Sequence, residues 1–194
     1  MLAHSVRDKP VDQNFIQLIK QKKVAYCPTL TRELSTFVYA DTPAFFSDPF
    51  FTKENDSLTI KPLKDPARQQ QVRNSRSAQT YKQQLPVAMA NLKKLFDSGV
   101  PILFGTDSGV PTRFLGYFEH LEMEMMAEAG LTPMQIIVSA TKTPAQYLNL
   151  KNVGPLSPGN WADFLVLNSD PLADIKNMRN IAAVFISGVD VRRD

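Results

Sequence analysis

Apolar and polar positions follow two different periods in the first thirty residues of the chain. A short apolar run at 1–4 is followed by hydrophobic side chains at helical spacing from Phe15 to Lys23, and a second apolar run covers 24–30. Asp12 stands where a helix N-cap is expected. The order strand, helix, strand is typical of a parallel sheet, so the pattern predicts an α/β fold.

A long insertion interrupts this rhythm between about residues 31 and 67. It is punctuated by prolines and is rich in phenylalanine, with Phe37, Phe45, Phe46, Phe50 and Phe51. Connections of this length are usually functional lids or disordered segments. The aromatic side chains favour a packed lid over a free linker.

Helical patterns dominate the middle of the chain. The composition from Arg68 to Ser98 predicts a helix that Pro86 kinks or restarts and that Gly99 ends. Apolar side chains recur at helical spacing from Phe114 to Met125, which predicts an amphipathic helix stopped by Gly130.

Two Thr-Pro-x-Gln motifs predict further helix starts. Thr132 opens a helix through Ala140 with a capping box and a proline at the first helical position, and Thr143 repeats the device for a short helix to Leu148.

The C-terminal part has a β-rich pattern without long helices. Turn residues at 154–159 precede a predicted strand from Ala162 to Leu167, and 183–186 with 189–191 predict a hairpin about Gly188. We therefore expect part of a small, separate β layer.

One apolar run ends abruptly on a carboxylate. The run from Val100 to Phe104 is followed by Gly105, Thr106 and Asp107, which predicts a buried strand with Asp107 at its carboxyl end, where parallel sheets and barrels carry catalytic groups. A turn or helix-cap aspartate fits the same pattern. An Asp-Ser-Gly signature of aspartic proteases is disfavoured, because those sites lie in all-β folds and a helix follows here.

The composition is that of an ordinary globular protein, and the small net charge excludes little. The chain has 194 residues, 43% hydrophobic composition and a net charge of +3. Its basic residues between 61 and 82 favour a solvated helix face over a nucleic-acid patch, since no aromatic side chain that could stack on bases is interleaved with them before Tyr81. No apolar run approaches the roughly 18 residues of a membrane helix. We expect neither nucleic acid nor a membrane as a partner.

Cysteine and histidine are scarce. Cys27 is the only cysteine, so no intrachain disulfide and no cysteine-based zinc cluster can form. Its place in an apolar strand favours a core residue over a nucleophile. Of the two histidines, His4 at a strand end is the better ligand candidate, whereas His120 either faces a site or covers a helix flank.

Several motifs, taken together and in this order, carry a resemblance to a known family. They are Ala3-His4-Ser5, Phe104-Gly-Thr-Asp-Ser-Gly109, His120-Leu-Glu-Met with Ala129-Gly-Leu-Thr-Pro133, Ala140-Thr-Lys-Thr-Pro-Ala145, and Gly154-Pro-Leu-Ser-Pro-Gly-Asn-Trp-Ala-Asp-Phe-Leu-Val-Leu167 with Asp170-Pro171. The set resembles the C-terminal part of a metal-dependent amidohydrolase of the imidazolonepropionase and prolidase-like branch.

The resemblance implies an α/β fold that comprises about strands 6–8 of a (β/α)₈ TIM-type barrel and part of a small β-sandwich. Residues 1–150 would form the partial barrel with its aromatic insertion. Residues 151–194 would form the segment of the composite sandwich.

The resemblance also implies a divalent metal, zinc, as one or two ions in an intact relative. His4 matches the sixth-strand histidine ligand, Asp107 matches the eighth-strand aspartate, and His120 matches a helix histidine that lies near the substrate. The chain has no His-x-His motif and no candidate for the fifth-strand histidine. Two protein ligands seldom hold a catalytic zinc, so this chain alone is expected to lack most of the metal shell.

By this resemblance the function is hydrolysis of carbon–nitrogen bonds in small amide or dipeptide-like substrates through a metal-activated water. Asp107 would be the general base and then the general acid. The alternative is a non-catalytic protein, either a truncated remnant or an interaction subunit that completes a barrel with a partner chain. Unpaired strand edges would favour a homo-oligomer or association with a missing N-terminal half.

Overall fold

The computed structural model describes residues 1–191 and contains more helix than strand. The strands are β1 (Leu2–Ala3), β2 (Tyr26–Cys27), β3 (Phe164–Leu167), β4 (Ile181–Ile186) and β5 (Val189–Asp190). The α-helices are α1 (Gln13–Gln21), α2 (Leu30–Ser35), α3 (Pro49–Thr52), α4 (Ser57–Ile60), α5 (Pro66–Asn74), α6 (Arg76–Asp97), α7 (Tyr117–Glu128), α8 (Pro133–Ala140) and α9 (Lys142–Tyr147). Short 3₁₀ helices lie at Val38–Ala40, Ala44–Ser47, Lys61–Lys64 and Ile175–Arg179.

Three parallel chain segments form the sheet that positions the candidate site. β1 pairs in parallel with β2, and Tyr26 of β2 forms a parallel bridge with Ile102. The Tyr26 N–H donates to the carbonyl of Pro101 at 2.9 Å, and the Leu103 N–H donates to the carbonyl of Tyr26 at 2.8 Å. The apolar run at 100–104 therefore lies beside β2, and the strand predicted there is reduced to one bridge residue, Ile102.

The main hydrophobic core lies between this sheet and the surrounding helices. Ile16 of α1, Leu92 and Leu95 of α6, Met126 of α7 and Ile136 of α8 are all buried in it. The predicted N-cap of α1 is confirmed, because the Asp12 carboxylate accepts a hydrogen bond from the Phe15 N–H at 2.7 Å.

The aromatic insertion folds into short helices around a second hydrophobic cluster. Phe46 and Phe51 pack there with Phe114, Tyr117 and Phe118, and Phe51 is fully buried. The prediction of a packed insertion is therefore confirmed, and its packing partner is the N-terminal half of α7 with the residues that precede it.

The helical region from Arg68 to Ser98 departs from the prediction. It consists of two helices that are divided at Ser75, whose hydroxyl accepts a hydrogen bond from the Ala78 N–H and caps α6. Pro86 lies inside α6 and does not restart it. Its side chain is exposed, so water can satisfy the carbonyl that proline leaves without a donor.

The two Thr-Pro-x-Gln motifs behave differently. Thr132 and Gln135 form the predicted capping box at the start of α8. The short helix predicted after the second motif is present as α9, but its predicted start is wrong, because α9 begins at Lys142 and Thr143 lies inside it. α8 ends only two residues earlier, so no extended residue separates the helices where Thr143 could act as a cap.

The C-terminal strands form an antiparallel sheet in the order β3-β4-β5. The predicted hairpin is confirmed, and Gly188 adopts a φ of +79° in its turn. The 3₁₀ helix Ile175–Arg179 packs against α7 and places Ile175 in the main core. The division of the chain at residue 150 stays a prediction, and residues 192–194 of its second part lie outside the described residues.

Candidate active site

Three polar residues follow the three parallel segments at the same edge of the sheet. His4 follows β1, Thr29 lies two residues after β2, and Asp107 follows the 100–104 run. All three have left-handed backbone angles, with φ of 73°, 50° and 59° respectively. Such conformations are costly for residues other than glycine and cluster at functional sites. The geometry therefore marks this edge as the candidate active site.

His4 is held against the end of the neighbouring strand. Its backbone N–H donates to the carbonyl of Cys27 at 2.9 Å, and its Nδ1 lies 3.0 Å from Oγ1 of Thr29. The ring is half-buried. Because Nδ1 contacts Thr29, Nε2 is the ring nitrogen that remains for a ligand or a proton.

Asp107 is paired with two arginines. Its Oδ2 lies 2.5 Å from Nη1 of Arg113 and 3.4 Å from Nε of Arg32. Nη1 of Arg113 also donates to the Asp107 backbone carbonyl at 3.0 Å. The Asp107 side chain is 41% exposed, so water reaches it.

The pairing continues inward as a chain of alternating charges. Glu33 is fully buried and lies 3.0 Å from Nη1 of Arg32 and 3.2 Å from Nε of Arg7. The chain Arg7–Glu33–Arg32–Asp107–Arg113 thus has three positive and two negative members. Sequence reasoning missed the arginines and Glu33. The contacts Arg7–Glu33 and Arg32–Asp107 join distant segments, and the closer pairs Arg32–Glu33 and Asp107–Arg113 belong to no recognised motif.

A second buried carboxylate, Glu122, lies behind the site on α7. It accepts hydrogen bonds from the N–H groups of Leu30 and Thr31 and from the hydroxyl of Thr31, at 2.7 to 2.8 Å. Burial raises the pKa of Glu122 to about 7, although the hydrogen bonds from Thr31 and Leu30 oppose the rise. Sequence reasoning missed Glu122, but its position four residues after Phe118 on the buried face of α7 was a usable signal.

His120 faces the aromatic insertion. Its ring meets that of Phe50 edge to face at a centroid distance of 5.0 Å. Burial lowers the pKa of His120, and the nearby positive charge of Arg179 lowers it further. Its Nδ1 is buried and has no hydrogen-bond partner among the described residues. The contacts found for His120 thus involve the insertion, whereas those of His4 and Asp107 involve the strand ends and the arginines.

Arg179 anchors the insertion to the rest of the chain. It pairs with Asp48 at 2.8 Å and with Glu124, and its guanidinium lies 5.1 Å from the ring centroids of Phe50 and Tyr117. This partly buried cluster joins the insertion, α7 and the C-terminal 3₁₀ helix.

Cys27 is a core residue, as predicted. It packs with Ala25 and Leu103. Burial raises the pKa of its thiol to about 11, with smaller contributions from the charges of Glu122 and Asp107. A thiol with this pKa is not a nucleophile at neutral pH.

The side chains at this edge do not form a metal site by themselves. Across residues 1–191, no group of three His, Cys, Asp or Glu side chains is placed to hold an ion. His4 and Asp107 are two candidate ligands, and the guanidiniums of Arg32 and Arg113 beside Asp107 oppose a divalent cation. A catalytic zinc normally needs three protein ligands, so the donor set of this part of the chain does not fit one. None of the helices between residues 1 and 191 is long and apolar enough to cross a membrane.

The chain is similar in sequence to the amidohydrolase family and to two of the enzymes compared with it. The model of the amidohydrolase family matches residues 19–191. An imidazolonepropionase of Cutibacterium acnes is 35% identical over 75 residues, which is 39% of this chain and 19% of that protein. An adenine deaminase of Lactobacillus delbrueckii subsp. bulgaricus is 33% identical over 84 residues, which is 43% of this chain and 14% of that protein.

Solved structures share the fold. A Xaa-Pro dipeptidase with bound methionine matches with a TM-score of 0.70 at 20% identity and covers 100% of this chain, which spans 40% of that protein. Ochratoxinase of A. niger matches with a TM-score of 0.65 at 20% identity over 99% of this chain and 37% of that protein. The chain thus spans about 40% of the length of the first of these relatives.

Proposed function

Because this chain belongs to the amidohydrolase family, as the match over residues 19–191 shows, we propose that it supplies part of the active site of a hydrolase for carbon–nitrogen bonds. The observation that carries the proposal is the set of left-handed residues His4, Thr29 and Asp107 at the ends of three neighbouring parallel segments. The substrate class is a small amide or a dipeptide-like molecule. The similarity to an imidazolonepropionase and to a Xaa-Pro dipeptidase supports this class.

In this proposal β1, β2 and the 100–104 run are about strands 6–8 of a (β/α)₈ barrel. β3, β4 and β5 belong to a small β-sandwich that the chain ends of the family build together. The parallel order of the first three segments and the antiparallel order of the last three support the assignment. The carboxyl edge that bears Asp107 is then the catalytic face of the barrel.

Asp107 is the proposed catalytic residue. Its half-exposed carboxylate can take a proton from an attacking water and then pass it to the leaving nitrogen. The two arginines keep this carboxylate in place before the substrate binds. His120, beside the aromatic insertion, is the proposed substrate-facing residue, with the insertion as a lid.

His4 and Asp107 are proposed as two ligands of a shared metal set. The divalent metal that the family resemblance implies, zinc, needs at least one more protein ligand than this part of the chain offers. We therefore propose that the remaining ligands lie outside residues 1–191, either in a longer form of the chain or in a partner chain.

One observation favours the alternative of a non-catalytic or interaction subunit. Asp107 already has two guanidinium partners, and the outer edge of β1 has no strand partner among residues 1–191. An apolar groove of about 310 Å³ also lies between β1 and α1, lined by Leu2, Phe15, Leu18 and Val24. An unpaired edge with apolar neighbours favours association with another chain or a second copy.

The test is hydrolysis by the longest reading frame that contains this chain. Loaded with zinc and given a panel of Xaa-Pro dipeptides and N-acyl amino acids, it should turn over at least one of them. Asp107→Asn should lower kcat by at least about 100-fold, the usual contribution of a general base. The control is Asp97→Asn, which changes an exposed ion pair with Lys93 on α6.

The possible outcomes separate the two functions. Retained turnover in Asp107→Asn would remove its catalytic role. Turnover by the present chain alone with excess zinc would contradict the shared ligand set. Inactivity of the longest reading frame on every substrate and with every metal would favour the non-catalytic subunit.

A further inference from the structure

The buried carboxylate of Glu122 caps the N-terminus of α2, a role that the N-cap residue of a helix usually has. It lies at the N-terminus of α2 and accepts the N–H groups of Leu30 and Thr31, the first two residues of that helix. Thr29 occupies the N-cap position, and threonine hydroxyls there usually accept such N–H groups. Here the Thr29 side chain makes no cap hydrogen bond.

Because Glu122 caps α2, the Thr29 hydroxyl is free to contact His4. With φ of 50° and ψ of 52°, Thr29 turns its side chain from the helix toward β1, and Oγ1 lies 3.0 Å from Nδ1 of His4. Left-handed backbone is unfavourable for a β-branched residue. The backbone conformation of Thr29 must therefore be stabilised by its surroundings. The hydrogen bonds from the N–H groups of Leu30 and Thr31 to Glu122 provide this stabilisation.

The cost of this arrangement indicates a purpose beyond helix capping. Glu122 has no exposed surface, and within residues 1–191 no cationic side chain donates a hydrogen bond to it. The negative charge of a second buried carboxylate, Glu33, also acts on it. Burying a charge in this way costs several kcal/mol, more than a cap on a six-residue helix returns.

We propose that Glu122 is a positioning residue for His4, acting through the Thr29 hydroxyl to hold the imidazole in its Nδ1–H tautomer with Nε2 as the free basic nitrogen. In this arrangement Nδ1–H donates to Oγ1 of Thr29. A hydrogen bond at one ring nitrogen that sets the tautomer and the orientation of the other is a common device in sites that use histidine. The inference rests on the proposed function in so far as His4 serves the active site.

Nitrogen NMR of the chain labelled with ¹⁵N-histidine tests the proposal without measuring turnover. The chain has two histidines, so a His120→Asn variant assigns the signals. In spectra recorded at about pH 9, well above the usual imidazole range, the His4 signals should be mainly those of the Nδ1–H tautomer. In Glu122→Gln, the amide nitrogen would face N–H and O–H donors, so hydrogen bonds that hold the turn at Thr29 would be lost. The His4 chemical shifts should then move toward those of an unconstrained imidazole, which is a mixture of both tautomers.

Asp48→Asn is the matched control. The Asp48 carboxylate also accepts three hydrogen bonds, from the Phe50 N–H, the Tyr117 hydroxyl and Arg179, but it lies in the aromatic insertion. It should leave the His4 shifts unchanged. Thr29→Val should reproduce the Glu122→Gln shift, whereas Thr29→Ser should retain the wild-type signal.

Thr31→Val decides the matter if Glu122→Gln does not fold. It removes one hydrogen bond of 2.8 Å to Glu122 and should move the His4 shifts in the same direction by a smaller amount. A wild-type His4 in the Nε2–H tautomer would overturn the proposal. So would unchanged shifts in both Glu122→Gln and Thr31→Val, or an equal shift in Asp48→Asn. None of these results depends on turnover, so a failure here is separate from a failure of Asp107→Asn in the hydrolysis test.

Discussion

Replacing Phe51 with alanine tests whether the aromatic insertion is part of the cooperative structure. Phe51 is fully buried, and its ring meets three others edge to face. The centroid distances are 4.8 Å to Phe114, 5.0 Å to Tyr117 and 5.2 Å to Phe45. Removing a buried phenylalanine costs about 3–5 kcal/mol in transfer free energy and cavity formation. For a chain of this length the loss corresponds to a fall in Tm of about 6–20 °C.

Urea unfolding followed by circular dichroism measures the free energy of unfolding. Leu58→Ala is the matched control, since Leu58 belongs to the same insertion but is 77% exposed. We expect this control to stay within about 0.5 kcal/mol of the wild type. A Phe51→Ala variant that loses less than about 1 kcal/mol would refute the reasoning, because the aromatic cluster would then not contribute to the stability of the folded chain.

Two further changes address the region behind the candidate site. Folding raises the pKa of Glu122 from 4.5 to about 7, so its protonated form adds stability that is complete below pH 4.5 and is lost as the pH rises through 7. The free energy of unfolding should fall by about 3 kcal/mol over this range in the wild type, and this fall should be absent in Glu122→Gln. If the free energies of unfolding of the two proteins change in parallel from pH 4.5 to 8, Glu122 is not the group that titrates. A Cβ atom at Gly105 would lie 2.7 Å from Sγ of Cys27, so Gly105→Ala should cost about 1–3 kcal/mol by overpacking. Thermal melts should show that the cost falls in a Cys27→Ala background, and an equal cost in both backgrounds would show that this contact is not its source.

The local features of the fold were predictable because their causes are local. Asp12 caps α1 and Thr132 caps α8 through hydrogen bonds that span three residues, and Gly188 supplies the positive φ of the hairpin turn. Two local signals did not act as predicted: Pro86 does not restart a helix, and Thr143 does not cap one, although the predicted short helix is present. The helical region is divided at the Ser75 cap instead, and α8 ends too close to Thr143 for this residue to act as a cap.

The sequence by itself determined the α/β order of the elements, the packed insertion and the two residues at strand ends, His4 and Asp107. It did so because strand ends, caps and helical spacing are written in neighbouring positions. Only the tertiary structure placed Arg113 and Arg32 on the Asp107 carboxylate.

The tertiary structure also decided that Glu122, more than 90 positions from Leu30 and Thr31, holds the turn beside His4. Side chains that are far apart in sequence meet only when helices and strands have packed. The charge surrounding Asp107 and the support behind His4 are therefore properties of the folded chain, and no local pattern of residues encodes them.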